Sequence, residues 1–289
     1  MRKNFDELGL LLVSLIFGFA YSFQSMGAEN VEPFSFNVIK NIIGTLCIAP
    51  LCLKKTDTDH KMEFKLGVAI AVILTIFSYL QQVVALDTAP GKIGFITSLY
   101  IVEVPIINFI FFKKKINLQT LLSLVFALAG LFLLCDLRDF SFRLSDLLII
   151  ICSLCLATQI TILGKYSMNC DPFKLNFFNF LFITIFSILG AILTGETINV
   201  EGYKLAIIPL LYVGVACSFI GCTMQTYCQK TVNATTASLI LSLESVFSVL
   251  AGYIMLDQVP SKIEVIGSIL MFIGIILCVT AEQGNKKKN

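Results

Sequence analysis

Apolar residues run along this chain in blocks of about twenty, the length a helix needs to cross a membrane, and the charges gather in short stretches between the blocks. The blocks fall at 8–27, 34–53, 64–86, 91–112, 117–135, 144–165, 173–193, 205–227, 234–256 and 263–280. Each suits a helix that rises 1.5 Å per residue across a hydrocarbon core of about 30 Å. Polar and apolar positions do not alternate within them, which excludes the strands of a membrane barrel. The pattern predicts an all-α integral membrane protein with ten transmembrane helices. Connections are short, the longest being the charged stretch around 54–65. The first block follows Arg2 and Lys3 as a signal peptide would, but it is long and shows no clear small-residue cleavage site. It reads as a retained helix.

Composition closes off the other classes. Hydrophobic residues make up 57% and charged residues 14%, against about 45–50% and 25% in soluble domains. Mean hydropathy is +0.88. Such a chain has too few charges to cover a soluble core, and its apolar content excludes disorder. The 21 basic and 19 acidic residues leave a net charge of +2, too balanced for a nucleic-acid partner. Cys47, Cys135, Cys152, Cys155, Cys217, Cys222 and Cys278 lie in or beside apolar blocks, where cysteine packs as a small hydrophobe. Cys152 and Cys155 have CxxC spacing without a second pair, and His60 is the one histidine. No metal and no cofactor is expected.

Lysine and arginine set the orientation. With a cytoplasmic amino end, the inner segments hold Arg2, Lys3, Lys54, Lys55, Lys61, Lys65, Lys113, Lys114, Lys115, Lys165, Lys174, Lys230 and Lys286 to Lys288. The outer segments hold Lys92, Arg138, Arg143, Lys204 and Lys262. A three-to-one bias over short loops places both termini in the cytoplasm of a plasma (inner) membrane. Asn233 opens a glycosylation sequon, but on the cytoplasmic side, where it has no meaning.

The chain also repeats itself. Shifted by 144 residues, 81–135 lies on 225–279 without a gap, bringing Gln81 onto Gln225, Ile96 onto Ile240, Ser98 and Leu99 onto Ser242 and Leu243, Val102 onto Val246, and Gly130 onto Gly274. A second register of 139 brings Pro33, Phe34 and Asn37 onto Pro172, Phe173 and Asn176. Span boundaries coincide in both. Five spans per copy, an odd number, force the second copy upside down, the architecture of many secondary transporters. The units are 1–137 and 141–289.

The stretch 85–100, ALDTAPGKIGFITSLY, followed by Val104 and Pro105, resembles the centre of an EamA domain, as does 235–244, TTASLILSLE. The family often places proline after that last glutamate, where this chain has Ser245. The resemblance covers nearly the whole chain as two EamA units. It implies membership of the drug/metabolite transporter superfamily, whose members carry amino acids, metabolites and drugs across membranes.

Charged side chains at bilayer depth cost about 2.5–3.5 kcal/mol on insertion scales, so each marks a candidate site. Lys40 lies about 10 Å below the outer boundary on the second span, on a stripe with Asn37, Gly44 and Cys47. It reads as a contact for an anion or carboxylate, or as a lysine snorkelling to the headgroups. Glu103 lies one turn beyond Tyr100, where the resembled family has an apolar residue. It is expected to pair with Lys40, bind a cation or carry a coupling proton. Glu244 shares its face with Ala237, Ser248, Ala251 and Gly252, which favours close helix packing and a hydrogen bond to a neighbouring backbone over transport chemistry. Gln24, Tyr21, Gln81, Gln82, Asn108 and Gln159 fill out the proposed cavity, and Asn179 mirrors Lys40. Each reads otherwise as a helix-to-helix hydrogen bond. The chain has no Trp, so an indole cage is excluded, while Tyr21 and Tyr100 can still face a cation.

These features predict a secondary carrier of small metabolites by alternating access. No phosphate-binding glycine–lysine motif is present, so a gradient must drive it. An intramembrane enzyme with Glu103 and Glu244 as acid and base lacks an intramembrane histidine and paired acidic motifs. A passive pore or structural subunit is the remaining class. The substrate, its direction, and monomer against homodimer stay open.

Overall fold

In the computed structural model, the described residues are 2–54, 56–88, 90–113, 118–134, 143–256 and 259–286. Lys55, Lys114, Lys115, Cys135, Arg138, Lys287, Lys288 and the join between the repeats lie outside them. The described residues form helices and turns only. They are α1 (Arg2–Ala28), α2 (Pro33–Cys52), α3 (His60–Val84), α4 (Pro90–Thr97), α5 (Tyr100–Phe112), α6 (Leu118–Leu134), α7 (Leu144–Tyr166) and α8 (Pro172–Thr194). After these come α9 (Val200–Leu205), α10 (Ile207–Leu211), a π-helical stretch (Tyr212–Cys222), α11 (Thr223–Cys228), α12 (Ala234–Leu241), α13 (Glu244–Leu256) and α14 (Lys262–Lys286).

Local chemistry sets the starts. Pro33 and Pro172 open α2 and α8, where a missing N–H costs nothing. The Asp59, Asp171 and Asn233 side chains accept the first free N–H groups of α3, α8 and α12. Gly195, at φ 73°, ends α8 in the left-handed region.

Nine helical stretches among the described residues are long and apolar enough to span a membrane, and α6, at 17 residues, is a shorter apolar helix. Large apolar side chains such as Phe111, Leu193 and Ile254 coat the outside.

The fourth and ninth spans each consist of two half-helices joined by a tight turn, at Ser98–Leu99 and at Ser242–Leu243. In both, N–H groups reach back three residues instead of four: Ile101 to Ser98, and Ser245 to Ser242. The ninth span turns without the family's proline. Its serine bonds across instead: the Ser245 hydroxyl donates to the Gly94 carbonyl at 3.1 Å and pairs with the Ser98 hydroxyl.

Equivalent helices of the two copies run antiparallel. A Cβ on Gly267 would lie 2.6 Å from the Gly130 carbonyl oxygen, and one on Gly274 would lie 2.8 Å from that of Ser123. Numbering along α14 thus falls as numbering along α6 rises. Gly190 abuts Phe34 and Gly44 abuts Phe180, which sets α2 against α8 the same way. The inversion required by five spans per copy is therefore visible in four contacts between two pairs of counterpart helices.

Candidate functional site

A cavity enclosing about 850 Å³, part of it open to solvent, lies between the two repeats. The first repeat contributes α1, α2, α3 and Tyr100 of α5, and the second contributes α7, α8, the π-helical stretch, α11 and the turn into α13. Phe17, Phe77 and Phe180 give it apolar walls.

Lys40 enters from α2. It is buried, and its ammonium donates to the Ser78 hydroxyl on α3 at 3.3 Å. The ammonium stands 6.0 Å from the centre of the Phe36 ring. Among the described residues no carboxylate pairs with it. Gly44, one turn along, brings the π-helical stretch close, since a Cβ there would meet that of Ser218 at 3.0 Å. Stretches of π-helix are rare and concentrate at functional sites.

Glu244 enters from the opposite copy. It is 3% exposed, and its carboxylate accepts the Tyr21 hydroxyl at 3.1 Å. Its partner is therefore a side chain in the cavity rather than a neighbouring backbone. Tyr100 stands beside the same carboxylate, with its own hydroxyl buried and closing no hydrogen bond. Gln24, Gln81 and Gln159 add to the polar lining, as do Asn41 and Ser218. The Gln225 side-chain amide donates to Oε1 of Gln159 at 3.3 Å and to Oε1 of Gln229 at 3.1 Å.

Four of the sequence candidates lie elsewhere, among them Gln82, which lines a separate recess, and Asn108, which is buried and donates to the Val104 carbonyl of its own helix at 3.0 Å. Glu103 is half-buried outside the lining and accepts the Ser153 hydroxyl of α7 at 2.8 Å. It does not pair with Lys40. Both residues follow the Ser98–Leu99 turn on α5, where three residues leave them about 60° apart round the helix; Tyr100 lines the cavity and Glu103 meets Ser153 of α7. Asn179 is buried but not part of the lining. Ser78, Cys217, Cys222 and Gln225 do line the cavity without having been singled out. The repeat register already coupled Gln225 to Gln81, and that was the available signal. Nothing in the local sequence marks the two cysteines.

Among the described residues no cluster of three potential metal ligands occurs.

The family model of the EamA-like transporter family matches this chain twice, over residues 5–135 and 143–280. The chain belongs to the EamA-like transporter family. An Archaeoglobus fulgidus protein named as an uncharacterized transporter is 29% identical over 278 residues, covering 96% of this chain and 86% of the relative. A solved crystal structure shares the fold with a TM-score of 0.72 at 14% identity, covering 93% of this chain and 96% of the other. This EamA-like protein is therefore a multi-pass membrane transporter.

Proposed function

We propose that this transporter is a secondary carrier of small zwitterionic metabolites, amino acids foremost, working by alternating access and driven by a gradient rather than ATP. Its units are the repeats 1–137 and 141–289, and both termini lie in the cytoplasm beneath a plasma (inner) membrane, in keeping with the basic inner loops.

One observation carries this reading. The cavity holds a buried ammonium without a carboxylate partner and a buried carboxylate without a cationic one among the described residues. Each lone charge costs several kcal/mol to bury, and a zwitterion satisfies both at once. Lys40 takes the substrate carboxylate and Glu244 its ammonium, while Gln24, Gln81, Gln159 and Tyr100 orient it. The Phe walls admit an apolar side chain. An enzyme reading needs Glu103 and Glu244 in one site, and they face different surroundings.

Uptake and counterflow in proteoliposomes with a pool of labelled amino acids, with and without a pH gradient, tests the proposal. Saturable exchange supports it. Exchange of amines or sugars with none of any amino acid would overturn the substrate class, and flux without saturation would make the protein a pore.

A further inference from the structure

The two repeats differ in conformation at one pair of equivalent positions. On α8, one turn from its start, Asn176 donates from Nδ2 to the Thr226 hydroxyl of α11 at 2.9 Å and to the Cys222 carbonyl at 3.4 Å. Beside it, the Gln229 amide donates to the Ile160 carbonyl at 3.0 Å, and Gly164 closes on Ala234, whose Cβ a new Cβ would meet at 2.9 Å. Together these tie α7, α8, α11 and α12 to one another toward the face where α1 begins, with Thr231 bonded to Asp6.

The repeat registers carry Asn176 onto Asn37 and Thr226 onto Gln82. The Lys40–Ser78 hydrogen bond shows that α2 and α3 already face each other. Asn37 lies one turn back from Lys40 on α2, and Gln82 one turn on from Ser78 on α3. They are the next pair along the same antiparallel interface. Yet they are not bonded. Asn37 is 0% exposed, and neither its amide oxygen nor its amide nitrogen has a partner. Gln82 reaches instead to the Gln24 carbonyl at a long 3.4 Å. A second recess, of about 460 Å³, enters from this opposite face and is lined by Glu32, Gln82 and Leu86. The central cavity reaches Gln81. The Gln81–Gln82 pair stands between the two spaces.

Buried amides are almost always satisfied, and one left bare in a native state calls for an explanation. In an inverted-repeat carrier each copy adopts in one state the conformation its counterpart holds in the other. We infer that Asn37 and Gln82 form the latch that closes the cavity toward the face opposite the termini, and that this latch and the Asn176–Thr226 latch close in turn. The structure is the state with the termini-side latch made and the opposite one open. The inference rests on the alternating-access reading above, and its test is read without substrate.

Cys217 and Cys222 line the cavity and report access to it. Full-length protein in oriented proteoliposomes is treated from either face with a membrane-impermeant maleimide, and labelling of these two thiols is quantified by mass spectrometry. Asn176→Ala should raise labelling from the termini face by about tenfold, the shift expected from losing a buried hydrogen bond. Asn37→Leu should do the reverse, suppressing labelling from the termini face, because the opposite side can no longer close. Asn37→Leu should also melt no lower than the parent, since its amide bonds nothing in this state, whereas Asn176→Leu should melt lower. Gln82→Ala should reproduce the labelling of Asn37→Leu. Equal labelling of parent, Asn37→Leu and Gln82→Ala from both faces would overturn the latch. So would failure of both Asn37→Leu and Asn37→Ala to fold. Loss of amino-acid flux with the labelling shifts intact would count against the substrate reading alone.

Discussion

Tyr100 and Glu244 occupy the same place in the two repeats and meet at one cavity. Each opens the second half of a divided helix directly after a Ser–Leu turn, and the Tyr100 hydroxyl stands beside the Glu244 carboxylate. The inverted repeat thus supplies two equivalent positions, and side-chain identity breaks the symmetry between them. Lys40 and Asn179 do the same on the second spans. A cavity with identical halves would not distinguish the two ends of a substrate. This one places positive charge on one wall and negative charge on another.

Glu244→Gln should lower the efficiency of amino-acid counterflow by roughly a hundredfold, the equivalent of about 2.7 kcal/mol and within the range for losing one partner of a buried charge pair. Tyr21→Phe removes one hydrogen bond to that carboxylate and should cost roughly tenfold. Kinetics in proteoliposomes measure both, and an unchanged Glu244→Gln would remove Glu244 from the site.

For Lys40→Met, transport and stability should part company. The variant should lose saturable exchange, yet melt at or above the parent temperature, because an unpaired buried ammonium is replaced by an apolar chain of similar length. A lower melting temperature together with retained exchange would mark Lys40 as structural.

Glu103→Gln should leave amino-acid affinity within about twofold of the parent, since Glu103 lies outside the cavity and its carboxylate meets Ser153 of α7. Repeating the flux assay across a pH gradient asks separately about proton coupling. Full gradient dependence in the variant removes Glu103 from that role.

The divided helices depend on Ser245. Its hydroxyl holds Ser98 and the Gly94 carbonyl; in Ser245→Ala the carbonyl keeps the Ser98 N–H, while the buried Ser98 hydroxyl loses its partner. The expected cost is about 1–3 kcal/mol, read as a lower melting temperature in detergent.

Gly130→Val should be the most damaging of these changes. Its new carbons would run into the Gly267 carbonyl and Met271 on α14, and overpacking of this kind costs about 1–3 kcal/mol or more. Thermal unfolding of the purified variant measures it, and a parent-like transition would show that α6 and α14 can separate without penalty.

Much of this architecture was legible in the chain. The apolar blocks marked the spans to within a few residues. The repeat registers predicted which helices are counterparts. Lys40, Tyr100, Gln24, Gln81, Gln159 and Glu244 stood out because polar groups at bilayer depth are costly, and all six line the cavity. Glu103 stood out for the same reason and lies elsewhere. Depth along a helix follows from counting residues. Direction around it depends on how α5 is rotated against α7, where Glu103 meets Ser153, and hydropathy does not carry that. The π-helical stretch that brings Cys217 and Cys222 to the cavity was illegible for a similar reason, since a change from four-residue to five-residue bonding leaves the apolar pattern intact.

The sequence by itself determined that the chain lives in lipid, that its backbone forms helices, and that its two halves are inverted copies, because hydrocarbon tolerates no unpaired backbone and an odd span count permits no other relation. Only the tertiary structure decided which charges share a space. It set Lys40 against Ser78, Glu244 against Tyr21, and left Asn37 bare while Asn176 is bonded. Those outcomes depend on helix phase and on which of two conformations each copy holds. Both are settled by packing between residues far apart in the chain, which a one-dimensional pattern of polar and apolar positions does not record.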